Sequence, residues 1–190
     1  MILTSEMVRD LWDHMCSHVG TSIVDKQDDG MMQLIARALD SMGVLDHDSF
    51  LNHYATTIGT TIYVPFVIGG QEVSFLNQIC LCVHEHQHAV QYLKSRDKFI
   101  LEYFVDSARR AAYEVEALRS NLEMMQFIIG GIPPMTSDAY ADGLMFYACT
   151  DEDIVVSKRA LASIEKTVRQ GGVTNITSRV AIQFLREWNS

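Results

Sequence analysis

Two histidines and a glutamate lie within five consecutive residues and form the part of this chain best suited to chemistry. They are His84, Glu85 and His88, in the order His-Glu-x-x-His. Positions i and i+4 of an α-helix lie on one face, so both imidazoles can reach a single Zn²⁺ ion. Glu85 is rotated by about 100° from His84, close enough to touch a water on that ion without binding the ion. The pattern therefore predicts a zinc site with Glu85 as its general base.

A buried helix is needed to present this pair. Apolar residues with helical spacing surround the motif and predict a helix from about Glu72 to Lys94 with the motif in its interior. Histidines and a glutamate packed this closely in an apolar helix are hard to bury without a metal ion. The alternative is a core helix with surface histidines.

A second alternative is a β-strand, because cysteines and histidines occur at every second position around the motif. Cys80, Cys82, His84, His86 and His88 alternate along the chain, and a β-strand would align all five into a soft-metal site. The helical pattern and length of the flanking segments favour the helix instead. On that helix His86 points nearly opposite to His84 and His88, so we predict a supporting or partly exposed residue and not a ligand. Cys80 is expected beneath the site and Cys82 in the core.

Zinc in a catalytic site needs a third protein ligand and keeps its fourth position for water. Asp106 or Ser107 can cap a further helix that continues to about Phe127. This helix contains Glu114 and Glu116, whose side chains would point about 200° apart, so only one of them can face the metal. The spacing is compatible with either glutamate as the third ligand.

Glu102 is a third choice for the ligand, because Asp106 follows it in an E-x-x-x-D pattern. It comes only 14 residues after His88, which leaves little room for a turn and a returning helix. For Glu114 the alternative to a ligand is a solvated helix glutamate paired with Arg110.

The two motifs together resemble a known group of enzymes. His84-Glu85-x-x-His88, followed on a later helix by Glu114-Val115-Glu116-Ala117, resembles the gluzincin zinc metallopeptidases. In several minimal gluzincins the glutamate ligand is followed three places on by alanine, and this resemblance implies Glu114 as the third ligand. The order Arg110-x-x-Tyr113-Glu114 is also similar to small phage and prophage proteins classed as metallopeptidases. The resemblance covers roughly 61–117.

Two departures from related patterns are informative. Gluzincins often carry an aspartate four places after the ligand, where it supports a histidine, but this chain has Leu118 there. That support must come from elsewhere. Gln91 and Lys94 occupy the places where metzincins have glycine and a third histidine, which excludes that family.

The resemblance implies a zinc-dependent peptidase acting on a peptide or protein substrate. Zinc on His84, His88 and Glu114 would activate a water, and Glu85 would take its proton and deliver it to the leaving amine. Tyr140 and Tyr147 are candidates for stabilising the oxyanion, although a structural role is the more common one for tyrosine. Two alternatives stay open: a zinc-binding interaction protein without activity, and a metal-dependent hydrolase of a non-peptide substrate.

The segments around the motifs predict the fold. A mostly helical, zincin-like α+β single domain is expected over residues 1–190. We predict N-terminal helices in 1–48, strands and the motif helix in 49–96, the third-ligand helix in 106–128 and C-terminal helices in 150–188. The second N-terminal helix is predicted from about Met31 to Met42, with Leu34, Ile35 and Leu39 inward and its end at Gly43.

The strand prediction starts at about Ser49, and Thr56–Ile58 and Thr60–Val64 are its β-branched and aromatic segments. An edge strand beside the metal could hold an extended peptide. His14 and His18 share a face of the first helix, but no third ligand accompanies them, so we predict surface histidines.

Charge and composition exclude other classes. The 190 residues include 15 basic and 24 acidic ones, a net charge of −9 that argues against a nucleic-acid surface. The first residues lack the features of a signal peptide, and no apolar run approaches the 18 or so residues of a membrane span. The four cysteines are irregularly spaced and are expected to be buried thiols in a reducing compartment, a cytoplasm, and not a disulfide framework. The sequence does not indicate an oligomeric state.

Overall fold

The structure, a computed structural model, describes residues 1–41 and 46–188. It is a mostly helical α+β fold with a small mixed sheet, which confirms the predicted fold class. The elements in chain order are α1 (Ser5–Val19), β1 (Ser22–Asp25), α2 (Gly30–Ser41), α3 (His47–His53), β2 (Thr56–Ile58), β3 (Thr61–Val64), α4 (Phe75–Ser95), α5 (Asp97–Val105), α6 (Ser107–Ile129), α7 (Thr136–Gly143), a 3-10 helix (Leu144–Tyr147), α8 (Asp151–Arg169) and α9 (Ile176–Trp188).

The sheet has the strand order β1-β3-β2. β1 and β3 are parallel, and β2 and β3 form an antiparallel hairpin that turns at Gly59, whose φ is +65°. β1 lies in the N-terminal part of the chain, for which helices alone were predicted, so the prediction missed this strand. A strand of four residues carries little local signal, and its partner β3 is distant in the sequence, so only tertiary pairing reveals it.

Helix α3 also corrects the prediction, because it occupies residues that were assigned to the strand region from Ser49. Asp46 begins this helix by accepting a hydrogen bond from the Ser49 backbone nitrogen at 2.8 Å. An acidic residue at this position satisfies an amide that has no partner within the helix. The β structure begins only at Thr56.

Helix α2 is the second helix predicted in the N-terminal part. The inward placement of Leu34 is wrong, because this side chain is 67% exposed while Met32 and Ala36 are buried. Ile35 packs against the buried cluster around Met32, as predicted. The side chain of Leu39 and the predicted end at Gly43 lie outside the described residues.

Helix α4 occupies the centre of the fold and carries the motif. Ser74 caps its start by accepting from the Asn77 amide, and the helix then packs against α1, α6, α9 and β2. The largest hydrophobic cluster joins α4 to α1, α6 and α9. The motif helix is therefore buried along its middle, as predicted, and close packing fixes the directions of its side chains.

Helix α6 runs alongside α4 and carries Glu114 and Glu116. Asp106 caps it by accepting a hydrogen bond from the Arg109 amide at 3.0 Å, as the sequence indicated. Helices α4 and α6 make the most extensive helix–helix contact in the described part of the fold. Among the helices in the described ranges, none has both the length and the apolar character needed to cross a membrane.

A buried lysine fixes the start of the edge strand β2. The Lys26 ammonium is fully buried and donates to the carbonyl oxygens of Phe50 and Tyr54 at 2.9 and 2.7 Å, and to Thr56 Oγ1 at 2.8 Å. It also lies 3.4 Å from the centre of the Phe50 ring. These contacts satisfy all three donors of the ammonium and hold β2 in place beside α4.

Candidate metal centre

His84, His88 and Glu114 come together at the contact between α4 and α6. The two Nε2 atoms are 3.2 Å apart, His88 Nε2 is 3.4 Å from Glu114 Oε1, and His84 Nε2 is 3.6 Å from Glu114 Oε2. Tetrahedral ligands bound to zinc at roughly 2.0–2.1 Å are separated by about 3.4 Å. The two nitrogens are about this far apart, and each of them is about this far from one oxygen of the Glu114 carboxylate, so the group could hold a metal ion.

The cluster is enclosed. His84, His88 and Glu114 are 6%, 8% and 1% exposed. Burial and the neighbouring His88 lower the pKa of His84, which favours the neutral form that binds metals. Two polar atoms of the group, His84 Nδ1 and Glu114 Oε2, are buried without a hydrogen-bond partner in the described part of the chain. A cation between the donors would satisfy this Glu114 oxygen.

His88 and Glu114 form a coupled ion pair. Burial alone would lower the pKa of His88, but the Glu114 carboxylate raises it to about 9. Burial alone would raise the pKa of Glu114, but His88, His84 and the Tyr103 hydroxyl lower it to about 2. The carboxylate is therefore ionised at neutral pH, which is the form that binds zinc. The predicted alternative of a solvated glutamate paired with Arg110 is wrong, since Glu114 is buried and the guanidinium binds backbone carbonyls.

Gln91 orients His88. In gluzincins an aspartate at the position of Leu118 often supports a histidine in this way. The Gln91 Nε2 donates to the Tyr113 carbonyl at 3.0 Å and to Glu116 Oε2 at 2.9 Å, so its Oε1 faces His88 Nδ1 at 2.8 Å. An amide oxygen only accepts, so Nδ1 must carry a proton, and Nε2 is the nitrogen whose lone pair becomes available to a metal ion when the ring is neutral. Sequence reasoning noted Gln91 only as a departure from metzincins. The feature of the sequence that could have identified Gln91 as a partner of His88 is its position three residues later, on the same face of the helix.

The other two candidate ligands lie elsewhere. Glu116 Oε2 accepts from Gln91 and supports His88 only indirectly. Glu102 Oε2 accepts from the Tyr113 hydroxyl at 2.5 Å, and its other oxygen lies near Lys98 and Arg109. Of the three glutamates, the structure brings only Glu114 to the histidines.

Glu85 lies beside the cluster and is held by the edge strand. It is 4% exposed, and Thr57 of β2 donates from Oγ1 to Glu85 Oε2 at 2.6 Å. The Glu85 charge raises the pKa of both His84 and His88, which places the carboxylate within electrostatic range of both rings. Thr57 was not singled out from the sequence, because nothing local connects a strand residue to a helix 28 positions later.

Tyrosines complete the surroundings of Glu114. The Tyr103 hydroxyl donates to Glu114 Oε1 at 2.5 Å, a contact that sequence reasoning missed. Burial raises the pKa of Tyr147 well above its usual value, and the Glu114 and Glu85 carboxylates raise it further, so this phenol is close to the site. Tyr140 instead packs in the cluster between α6 and α8, with its hydroxyl 4.0 Å from Met125 Sδ.

His86 lies on the other side of α4. Its side chain is fully buried, so the expectation of partial exposure is wrong. Nδ1 is 2.7 Å from the Cys82 carbonyl and Nε2 is 3.0 Å from Thr21 Oγ1, while the ring packs edge-on against Trp12. Cys82 is in the core, as predicted. The exposed His14 and His18 are surface residues, also as predicted.

The chain was also compared with known proteins. Neither models of protein families, nor curated proteins, nor solved structures gave a match. What the site can do must therefore be inferred from its own residues. These are three converging donors of the zinc-binding type, a supported histidine and a further carboxylate beside them.

Proposed function

We propose that this protein is a zinc-dependent metallopeptidase. The observation that carries the proposal is the buried group of His84, His88 and Glu114, in which two histidine nitrogens lie 3.2 Å apart and each lies 3.4–3.6 Å from an oxygen of one carboxylate. A zinc ion held there would act as a Lewis acid and lower the pKa of a water ligand towards about 7. The resemblance of the two motifs to gluzincins points to the same reaction.

Glu85 is the general base in this proposal. Its carboxylate lies beside the histidines without belonging to the ligand group, and one oxygen already accepts from Thr57. That hydrogen bond fixes the orientation of the carboxylate, so the other oxygen can accept the proton of the attacking water. The same oxygen then returns the proton to the leaving amine.

The edge strand β2 offers a place for an extended substrate. Within the described residues β2 pairs only with β3, so its other side is free for one more strand. Thr57 of this strand contacts Glu85, which links the strand to the proposed base. A peptide added to this edge would run past Glu85, as in other complexes that form by strand addition.

Glu85 argues against an inactive interaction protein with a structural zinc site. A structural zinc site needs no base and is usually closed by a fourth cysteine or histidine. In the described ranges the group contains three residues that could bind the metal. The side chains of Cys80 and His86 instead contact the backbone carbonyls of Asn121 and Cys82. The second alternative, a metal-dependent hydrolase of a non-peptide substrate, shares the same site and differs only in its substrate.

Metal analysis combined with a peptidase assay tests the proposal. Wild type and Glu85→Gln are expected to bind about one zinc per chain, with cleavage of a degenerate fluorogenic peptide library lost in the variant. Glu152→Gln, on the exposed start of α8, is the control and should behave as wild type. Equal activity in wild type and Glu85→Gln would remove the base assignment. Zinc binding without any cleavage by wild type would favour one of the two alternatives.

A further inference from the structure

Arg110 binds two helix ends at once. Its Nη1 donates to the Tyr103 carbonyl at 2.6 Å and, more weakly, to that of Phe104 at 3.4 Å. Its Nε donates to the Tyr147 carbonyl at 2.6 Å and its Nη2 to that of Ala148 at 2.8 Å. These carbonyls lie in the last turn of α5 and at the end of the 3-10 helix, where oxygens lack partners within the helix. One guanidinium therefore satisfies both helix ends, and its charge complements their negative dipoles.

Each of these helix ends carries a tyrosine that reaches the metal centre. The Tyr103 hydroxyl donates to Glu114 Oε1 at 2.5 Å. The Tyr147 phenol lies within electrostatic range of Glu114 and Glu85. Arg110 itself precedes Glu114 by four residues on α6, which is one helical turn. The guanidinium thus fixes both tyrosine backbones relative to the helix that carries the proposed ligand.

The ends of these two segments are exposed. Phe99 is the one buried residue of α5, and Phe104 and Val105 at its end are 76% and 73% exposed. Met145 and Phe146 of the 3-10 helix are 61% and 53% exposed, while Leu144 at its start is fully buried. Apolar packing therefore anchors each segment near its start, and Arg110 binds the carbonyl oxygens at its end.

The residue that follows the 3-10 helix adds strain. Ala148 has a φ of 53°, a left-handed conformation that non-glycine residues rarely adopt. Such a conformation persists only where surrounding contacts hold it, and the Ala148 carbonyl is one of the four that Arg110 binds. The contact with Arg110 is therefore one that holds this residue and joins the segment to α6.

We propose that Arg110 is a positioning residue for the metal centre: by holding the ends of α5 and the 3-10 helix, it keeps the Tyr103 hydroxyl on Glu114. The inference rests on the metal site that the proposed function requires. It also explains the order Arg110-x-x-Tyr113-Glu114. Arg110 fixes the end of α5, Tyr113 contacts Phe99 and Glu102 of the same helix, and Glu114 binds the metal.

Zinc affinity tests the inference without any substrate. The dissociation constant is measured by competition with a chromophoric chelator for wild type, Arg110→Lys, Tyr103→Phe and the double variant. Residues that support a metal ligand typically contribute 10–100-fold to affinity, so each single variant is expected to bind zinc at least about tenfold more weakly. Lysine keeps the charge but cannot bind four carbonyls in the fork geometry of arginine. Because Arg110 acts through Tyr103, the double variant should be no more than about threefold weaker than the weaker single variant.

Two controls separate positioning from a general structural effect. Arg109→Lys changes the neighbouring arginine, whose side chain is 62% exposed, and should leave zinc affinity within about twofold of wild type. Tyr140→Phe removes a hydroxyl that contacts Met125 Sδ and not Glu114, and should also leave it unchanged. Thermal unfolding of each metal-free variant shows whether it is folded, and Arg110→Gln is the second variant if Arg110→Lys does not fold.

Three results would overturn the inference. They are an unchanged zinc affinity in a folded Arg110 variant, a double variant that loses the product of the two single effects, and failure of both Arg110 variants to fold. The outcome is independent of the proposed reaction. If wild type cleaves no peptide but the variants show the predicted zinc affinities, the peptidase proposal fails and the positioning role stands. If wild type cleaves peptides but zinc affinity is unchanged in a folded Arg110 variant, the positioning role fails and the peptidase proposal stands.

Discussion

Two faces of helix α4 carry histidines in very different surroundings. His84 and His88 face α6, where their Nε2 atoms lie 3.2 Å apart and both approach the Glu114 carboxylate. His86 faces α1 and the start of β1, where Cys82 and Thr21 each contact one of its ring nitrogens. All three side chains are buried, so burial does not distinguish them.

The difference lies in which ring atoms remain available. The ring nitrogens of His86 each have a protein partner, and burial lowers the pKa of this ring to about 4, so it is neutral and fully satisfied. His84 and His88 instead converge on a shared carboxylate with lone pairs that a cation would use. A buried histidine therefore indicates a metal site only where its free nitrogen meets other ligand atoms.

The largest effect is expected from replacing one histidine on each face of α4 and comparing the zinc affinity of the two variants. His88→Ala should reduce zinc affinity by far more than the roughly 100-fold that a supporting residue contributes, because it removes a ligand. His86→Gln should leave zinc affinity within about threefold and instead lower the free energy of unfolding by about 1–3 kcal/mol, because it disturbs buried hydrogen bonds. Metal analysis after dialysis and chemical denaturation measure the two effects. Zinc loss in His86→Gln would remove the distinction between the faces.

The next comparison concerns the two glutamates of α6. Glu114→Ala is expected to lose zinc, while Glu116→Ala keeps it with a reduction of at most about tenfold, because Glu116 acts only through Gln91. Zinc content of the two purified variants distinguishes them. The reverse outcome would exchange the roles of the two residues.

A smaller effect should come from the residue that orients His88. Gln91→Ala is expected to weaken zinc binding by about 10–100-fold, because His88 Nδ1 loses its acceptor and the ring its fixed tautomer. Gln87→Ala is the matched control, since Gln87 is also buried in α4 but accepts from Thr177 on α9. Equal losses in the two variants would mean that helix packing, and not ring orientation, is responsible.

The smallest effect is one of pH. In the metal-free protein the Glu114 carboxylate raises the pKa of His88 to about 9, above its unfolded value of about 6.5. This ion pair therefore stabilises the metal-free fold most between about pH 4.5 and 6.5, and its contribution is lost as the pH rises through 9 or falls through about 2. Zinc needs the neutral ring, so binding at pH 7 should release about one proton, and affinity should rise about tenfold per pH unit up to pH 9. Calorimetry in buffers of different ionisation enthalpy counts this proton, and a value near zero would contradict the assigned coupling.

Local patterns in the sequence predicted the long helices well. The motif helix was expected from about Glu72 to Lys94 and is found from Phe75 to Ser95, and Asp106 caps α6 as expected. Helix α8 begins after Thr150, which forms a capping box with Asp153. Apolar periodicity and capping are properties of neighbouring residues, so they can be read without the fold.

Short elements and contacts between distant residues were predicted poorly. β1 and α3 depend on partners elsewhere in the chain, and Leu34 was assigned to the wrong face of α2. Thr57 and Tyr103 meet the site only because β2 and α5 pack beside α4 and α6. Contacts of this kind leave no periodic signal in the sequence.

The sequence by itself determined that His84 and His88 share one face of a helix with Glu85 beside them, because the α-helix repeats every 3.6 residues. It reduced the third ligand to a few glutamates, and only family resemblance favoured Glu114. The tertiary structure decided that choice, since packing of α6 on α4 turns Glu114 to the histidines and Glu116 to Gln91. It also decided which amide and hydroxyl groups contact His88 and Glu114 and which carbonyl oxygens the Arg110 guanidinium binds, because those groups come from segments that only the fold brings together.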